Sequence, residues 1–177
     1  FQFDTDLYRQ IAQTLRVEGT YGRQDLEGRT WPTAFRPPLY PLLLSISSFD
    51  RSISPTGIAT LHLLLGLATV ATTWLIARNY DRGNGGGWHP ELAAMAVAID
   101  PLLLVQSSQI MTETLAAFLA TAALLCLLQL EQRQSRVWGF ASGLTLGCAA
   151  LCRPTFLPWC VLVLLLQVRK TVRKRTA

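Results

Sequence analysis

The sequence has little charge for its length and lacks the residue groupings of many soluble enzymes. Of its 177 residues, 15% are charged and 50% are hydrophobic, which is too apolar for an ordinary soluble domain of this size. The two histidines, His62 and His89, stand apart, and no cluster has the ligand spacing of a metal site. No Ser/His/Asp or Cys/His set is recognisable. The sequence therefore gives no sign of triad or metal chemistry.

Cysteine is scarce, and its placement does not indicate a disulfide framework. All four cysteines fall inside apolar runs, where cysteine serves as a small packing residue. They are Cys126, Cys148, Cys152 and Cys160. The chain also has no initial methionine and no charged segment followed by a short apolar one, so it has no signal peptide pattern. We expect a piece of a longer protein that lacks at least an N-terminal segment.

Basic residues are in excess, but they are not distributed as in a nucleic-acid-binding protein. The net charge is +5, and five of the sixteen Lys and Arg residues lie in the last nine positions. Such a cluster is typical of the cytoplasmic flank of a membrane span. We therefore expect the lipid bilayer, and not nucleic acid, as the partner of the basic tail.

Long apolar runs dominate the rest of the chain and predict an all-α fold, a polytopic transmembrane helical bundle with an N-terminal outer loop. We divide the chain into an outer loop with juxtamembrane helices (1–55), transmembrane helices (56–168) and a basic tail or loop (169–177). The predicted spans are 56–77, 91–108, 113–130, 138–152 and 155–168.

The outer loop is the only long polar segment. Residues 4 to about 18 have the periodicity of an amphipathic helix, with Asp4 or Thr5 placed to cap it and Gly19 placed to end it. We expect residues 19–38 to be irregular. The apolar stretch 39–49 is too short to cross a hydrocarbon core of about 30 Å and predicts a juxtamembrane or re-entrant helix.

Charge gives the topology. Loop 131–136 and tail 169–175 are both basic, and basic loops prefer the cytoplasmic side, so an even number of crossings separates them. A hairpin with Arg153-Pro154 at its tip meets this condition. The same rule places 78–90 inside and 1–55 outside, together with the 106–112 turn, so the unusual polar residues share one side of the membrane.

Asp4 and Asp6 head the outer loop and are the candidate catalytic residues. A carboxylate at the membrane surface is suited to take a proton from an acceptor hydroxyl as general base. The same residues are also suited to a helix N-cap with a favourable dipole interaction. The two roles are compatible, since a capping aspartate keeps one oxygen free.

Arg36 and Arg153 are the candidate phosphate-binding residues, because the forked guanidinium matches phosphate oxygens. Arg36 precedes Pro37-Pro38, and snorkelling to lipid headgroups is its alternative role. Arg153 has the same alternatives, although an arginine at an apolar hairpin tip is costly without a partner.

Four further residues are candidates for a polar cavity. Glu113 begins a span, where it either caps the helix or faces a cavity. Asp100 lies deeper; an acid inside a membrane segment suggests function, but Asp100-Pro101 also marks a kink. Tyr8 and Tyr40 complete the set.

Several segments, in their order and spacing along nearly the whole chain, resemble one family. They run from Asp4 to Tyr8, Gly19 to Gly22, Arg36 to Pro41, Met111 to Leu115 and Gly143 to Pro154. Together they resemble GT-C membrane glycosyltransferases, in particular the bacterial group similar to protein O-mannosyltransferases and lipid A aminoarabinose transferases.

The resemblance implies an inverting transfer of a sugar, hexosyl or pentosyl, from a polyprenyl-phosphate donor to a glycan, lipid or protein acceptor. The enzyme would lie in the bacterial cytoplasmic membrane with its catalytic loop on the periplasmic side and serve cell-envelope glycosylation. Asp4 matches the family's catalytic base best; Thr5 separates it from Asp6, where relatives often have adjacent acids. Arg36 matches the basic residue before the proline pair. The resemblance leaves a divalent metal open, since only some relatives depend on one, and it indicates no other cofactor.

Two other functions remain open from the sequence. A lipid or solute transporter or flippase would use Asp100, Glu113 and Arg153 as a midplane site accessible from both sides. A non-catalytic membrane scaffold would pack through the glycines Gly139, Gly143 and Gly147. The clustering of polar residues on one side favours the glycosyltransferase.

Overall fold

The computed structural model describes residues 7–47, 52–83 and 89–176. Within these ranges the chain forms eight α-helices, one 3-10 turn and one short two-stranded sheet, which confirms the predicted all-α membrane bundle. The elements are α1 (Tyr8–Glu18), β1 (Gly22–Gln24), β2 (Thr30–Pro32), α2 (Leu39–Ile46), α3 (Pro55–Gly83), α4 (Pro90–Ala98), α5 (Pro101–Ser107), α6 (Glu113–Arg133), α7 (Arg136–Cys152), the 3-10 turn (Pro154–Phe156) and α8 (Leu157–Thr176).

Two helices in the described ranges are long and apolar enough to cross a membrane by themselves. These are Pro55–Asp81 of α3 and all of α6, with 27 and 21 residues, or about 40 Å and about 32 Å at 1.5 Å per residue. Helices α4 and α5 qualify together as a third span, bent by 49°. Helix α7 is apolar but shorter, with 17 residues.

The segment predicted as the span 91–108 is bent between α4 and α5, at the Asp100-Pro101 pair that the sequence marked as a possible kink. Proline cannot donate a backbone hydrogen bond, so Pro101 ends the continuous helix. Asp100 then caps the new helix, because its Oδ1 accepts from the amides of Leu102 and Leu103 at 2.8 and 3.0 Å.

Two helices extend beyond the apolar runs that predicted them. Helix α3 continues past residue 77, the predicted end of its span, through the polar segment 78–81; there the Arg78 guanidinium lies 4.8 Å from the Trp74 ring centroid. Helix α8 continues through the basic tail to Thr176. No proline or glycine interrupts either extension, so the backbone keeps its helical hydrogen bonds outside the apolar segment.

Helix α1 begins later than predicted, because Leu7 has a left-handed backbone (φ 61°) that a helix cannot include. Gly19 ends the helix with φ 69°, as predicted. The Gln13 side chain accepts from the Ile53 amide at 2.8 Å, and Arg9 donates to the Ile53 carbonyl at 2.9 Å. These bonds tie α1 to the segment before α3.

The segment expected to be irregular contains an antiparallel ribbon, with Gly22 paired to Pro32 and Gln24 to Thr30. Gly22 is required there, because a Cβ would lie 2.5 Å from the Trp31 carbonyl oxygen. The Thr14 hydroxyl donates to the Gly22 carbonyl at 2.6 Å and holds the ribbon against α1.

The last two helices are antiparallel, with the turn at Arg153 and Pro154. Arg153 is extended (φ −145°), as expected of a residue before proline. Cys160 Sγ lies 3.5 Å from the Leu146 carbonyl oxygen, and Lys170 pairs with Glu131 at the far end of α6. Helix α8 therefore runs antiparallel to α7 and in the same direction as α6.

A buried apolar cluster lies at one end of the bundle and holds the helices together there. It brings α1 and α2 against the start of α3, the α5–α6 connection and the end of α7. Its members are Tyr8, Ala12, Tyr40, Leu44, Ile53, Ile58, Ile110, Leu115, Ala116, Leu119, Ala149 and Cys152.

Candidate functional site

Aromatic residues from α1 and α2 meet at this end of the bundle. The Tyr8 and Tyr40 rings pack edge to face, with centroids 5.2 Å apart and planes at 85°, a favourable arrangement for aromatic pairs. Both rings are buried. The chain reaches this geometry because Pro37 and Pro38 fix the backbone just before α2 begins.

A histidine on α3 completes the aromatic group. His62 Nε2 lies 2.8 Å from the Tyr40 hydroxyl, and Nδ1 lies 2.7 Å from the Ser107 carbonyl oxygen. That carbonyl is one of the last in α5, where intrahelical donors run out. His62 therefore joins α2 to the end of α5.

Arg36 lies over the same aromatic group. Its guanidinium carbon is 5.3 Å from the Tyr8 ring centroid and 4.5 Å from that of Phe35, within cation–π distance. The Tyr21 hydroxyl donates to the Arg36 carbonyl at 2.9 Å and approaches that of Pro37 at 3.3 Å. The backbone of the Arg-Pro-Pro segment is thereby fixed from the ribbon side.

Partial burial raises the pKa of the Tyr21 hydroxyl above its ordinary value of 10.0, and the nearby Tyr8 raises it further. The hydroxyl therefore keeps its proton at neutral pH. This proton is the one it donates to the carbonyls of Arg36 and Pro37.

Arg153 at the hairpin tip has polar partners at the start of α6. Its Nε donates to the Thr112 hydroxyl at 2.9 Å, and a terminal nitrogen pairs with Glu113 Oε1. Glu113 Oε2 is buried and has no hydrogen-bond partner among the described residues. The expectation that Arg153 needs a partner at the apolar tip is met by this pair.

An open cleft of about 510 Å³ lies between the Arg36 segment and the end of α7. Arg36 lines it directly, and Pro154, the neighbour of Arg153, lines its other side. This volume is within the range of small-molecule sites. The two candidate phosphate-binding arginines thus belong to segments that face each other across one cleft.

The predicted site residues divide into three sets. Arg36, Tyr8 and Tyr40 are in one aromatic group, and Arg153 pairs with Glu113. Asp100 lies apart at the N-terminus of α5, where its carboxylate caps the helix. Ser107 is at the opposite end of α5. The catalytic candidates Asp4 and Asp6 lie outside the described residues.

Sequence reasoning missed His62 as part of the site, along with Tyr21 and the carbonyl of Ser107. A histidine inside an apolar span is itself a signal, since it requires buried polar partners. The partners were not readable, because Ser107 is 45 positions away and comes near only through the bend in α4–α5. In the described ranges, no group of three His, Cys, Asp or Glu side chains is placed to hold a metal ion.

A helical membrane protein with an arginine-lined cleft at one end of its bundle has features that suit a membrane glycosyltransferase with a phosphate-linked donor. The family model for dolichyl-phosphate-mannose-protein mannosyltransferase matches residues 36–176. The chain belongs to this GT-C family, which confirms the resemblance in its motifs. It is a mannosyltransferase-like membrane enzyme that uses a polyprenyl-phosphate-linked sugar. Comparison with curated proteins gives no match, and comparison with solved structures gives none either.

Proposed function

We propose that the chain carries the catalytic end of an inverting glycosyltransferase of the bacterial cytoplasmic membrane. It moves a mannosyl or related hexosyl or pentosyl group from a polyprenyl-phosphate donor to a glycan, lipid or protein acceptor on the periplasmic face. The observation that carries the proposal is the cleft between Arg36 and the Arg153-Pro154 tip, at the end of the bundle.

The two arginines suit the leaving group of this reaction. When the glycosidic bond to phosphate breaks, its electron pair stays on the phosphate oxygen, and negative charge increases there. Cationic donors already in place stabilise that charge more in the transition state than in the ground state. Arg36 would bind the phosphate from the α2 side and Arg153 from the hairpin tip.

Asp4 is the proposed general base. It would take the proton of the acceptor hydroxyl as the acceptor oxygen forms a bond to the anomeric carbon, on the face opposite the departing phosphate. That geometry inverts the anomeric configuration, as when two carboxylates act on opposite faces in inverting hydrolases. Asp6 is the second candidate for this role.

The test is transfer from radiolabelled polyprenyl-phosphate sugars in membranes that contain the complete gene product. Mannose is compared with glucose and aminoarabinose donors, and the anomeric configuration of the product is determined by NMR. The proposal expects one donor to be consumed with inversion. Retention of configuration, or no transfer from any donor by a protein that is expressed and inserted, would contradict it.

Arg36 provides the residue-level arm of the same test. Arg36→Ala should raise the donor KM at least tenfold, and Arg36→Lys should recover part of the loss because the charge remains. Arg78→Ala is the matched control. Arg78 also lies on an aromatic ring, that of Trp74, but near the C-terminal end of α3, whereas the start of α3 packs at the end of the bundle with the cleft. Equal donor KM values for wild type and Arg36→Ala would remove Arg36 from the donor site.

A further inference from the structure

A chain of contacts connects Ser107, the last residue of α5, to Arg36. It runs from the Ser107 carbonyl to His62, from His62 to the Tyr40 hydroxyl, from the Tyr40 ring to Tyr8, and from Tyr8 to the Arg36 guanidinium. Each link is a hydrogen bond or an aromatic contact with a defined geometry. The chain spans α5, α3, α2 and α1 in turn.

The hydrogen bonds of His62 assign its ring nitrogens. The Ser107 carbonyl can only accept, so Nδ1 carries a hydrogen and donates to it. In the neutral ring Nε2 is then an acceptor, and the Tyr40 hydroxyl donates to it at 2.8 Å. This arrangement fixes both the ring plane of His62 and the direction of the Tyr40 hydroxyl.

These two side chains are costly to bury, and their burial is nearly complete. Tyr40 is 0% exposed and His62 is 2% exposed. A leucine and a phenylalanine would fill similar space without two buried polar groups that require partners. Packing alone therefore does not account for this pair.

Resting on the proposed function, we infer that Tyr40 and His62 are positioning residues for the donor site. They hold the Tyr8 ring in place, and Tyr8 supports the Arg36 guanidinium at the cleft. Neither residue touches the donor. Ser107 lies just before the 108–112 connection, and that connection ends at Thr112, the partner of Arg153. Tyr40 and His62 therefore also link the segment that carries Arg36 to the segment that contacts Arg153.

The matched control is another interhelical hydrogen bond of α3. The Thr72 hydroxyl donates to the Thr121 hydroxyl on α6 at 2.9 Å. Thr72→Val removes that bond with little change in volume, further along α3 from the cleft. It measures what losing one partly buried interhelical bond of this helix does to the enzyme in general.

The kinetic test compares Tyr40→Phe and His62→Leu with Thr72→Val, all at equal expression and insertion. Tyr40→Phe keeps the ring against Tyr8 but removes the hydroxyl. We expect the donor KM to rise about three- to tenfold in both site variants, with kcat within about twofold and the acceptor KM unchanged. A fall in kcat alone, or the same change in Thr72→Val, would overturn the inference.

A double-mutant cycle with Arg36 tests the route. If Tyr40 acts through Arg36, Tyr40→Phe should have little further effect on donor KM in an Arg36→Ala background. Full additivity would contradict positioning through Arg36 while leaving Arg36 itself in the donor site. A raised KM in Arg36→Ala with none in Tyr40→Phe would likewise overturn this inference and leave the proposed function intact.

Hydrogen exchange supplies a readout that does not require turnover. In Tyr40→Phe and His62→Leu, amides of 8–12 and 39–44 should exchange faster than in wild type, because both variants break the hydrogen bond that ties Tyr40, and through it Tyr8, to α3. Thr72→Val should leave these peptides unchanged. Unchanged exchange in both site variants would show that the pair does not hold this region, whatever the donor proves to be.

Discussion

At the scale of single residues, the fold holds Arg36, which lines the cleft, and Arg153, which precedes the cleft residue Pro154, by different means. Arg153 is held by an ion pair and a hydroxyl at the start of α6. Arg36 lies on two aromatic rings, and its carbonyl is held by Tyr21. The two guanidinium groups are therefore held by different kinds of contact, one aromatic and one polar.

We predict that Arg153→Lys weakens the enzyme although it keeps the charge. An ammonium cannot reproduce the separate Nε bond to Thr112 and the terminal pair with Glu113, so donor KM should rise several-fold, and Arg153→Ala should raise it further. Kinetics with the labelled donor measure both effects.

The control for Arg153 is the ion pair at the other end of α6. Lys170 and Glu131 are about half exposed, and such pairs contribute at most about 1 kcal/mol. Lys170→Ala should therefore leave donor KM unchanged. If Arg153→Lys behaves like Lys170→Ala, the geometry at the tip has no part in donor binding.

Both arginines could be selected from the sequence, because each precedes a proline and Arg153 also interrupts an apolar stretch. The residues that support Arg36, namely Tyr8, Tyr40 and His62, could not be recognised from the sequence as one group. The bond between His62 and Ser107 depends on a bend that moves the end of α5 against α3. No local sequence pattern predicts the contact between His62 and Ser107.

At the scale of elements, the ribbon beside α1 depends on one carboxylate. Asp25 accepts from the Trp31 indole at 3.0 Å and from the backbone amides of Arg29 and Glu27 at 2.9 and 3.0 Å. The Trp31 bond is the main reason that the pKa of Asp25 is lowered from 3.8, followed by the bond from Arg29. The charged carboxylate thus closes the turn between β1 and β2.

We predict that the ribbon loosens in acid. Since the folded-state pKa of Asp25 is below its ordinary value, its stabilisation is complete above pH 3.8 and is lost as the pH falls through the lower folded-state pKa. The Trp31 indole proton, followed by NMR in detergent, should be protected at neutral pH and lose protection below that pH.

Asp25→Ala should abolish that protection at all pH values. Glu27→Ala is the comparison on the same turn, since the Glu27 side chain pairs with the exposed Arg29 side chain and its backbone bond to Asp25 is kept in the variant; it should keep the protection. Equal protection in Asp25→Ala and wild type would show that the carboxylate does not close the turn.

Element boundaries were predictable from the sequence where a single residue determines them. Gly19 ends α1 because glycine adopts a left-handed backbone at little cost, and Pro154 ends α7 because proline cannot donate a backbone hydrogen bond. The start of α1 at Tyr8 was not predictable, since leucine has no preference for the left-handed backbone of Leu7. The ribbon was missed because two strands of three residues carry too short an alternation to recognise.

At the scale of the whole molecule, the arrangement places the segments that carry Arg36, Glu113 and Arg153 at one end of a helical bundle. The start of α6, the tip between α7 and α8, and the segment before α2 all lie there, joined by the apolar cluster around Tyr40. Charge counting predicted that these segments share one side of the membrane. The fold brings them together by packing, and the side they face remains a prediction.

We predict that this end faces the periplasm. Single cysteines at Gln24, Asn84 and Gln132, in a background with the four native cysteines replaced, report the side of each segment. A membrane-impermeant maleimide should label position 24 in intact spheroplasts and positions 84 and 132 only after permeabilisation. Labelling of 24 and 132 from the same side would contradict the topology.

The most direct test of the catalytic proposal is sugar release from a labelled polyprenyl-phosphate donor by the complete gene product, wild type against Asp4→Asn, at equal expression and insertion. Asparagine keeps the size of the side chain and its capacity to cap a helix, but it cannot accept the acceptor's proton. We expect turnover to fall by about 10²-fold or more while donor binding is retained. Equal turnover in both proteins would contradict Asp4 as the base and move the search to Asp6 and Glu113.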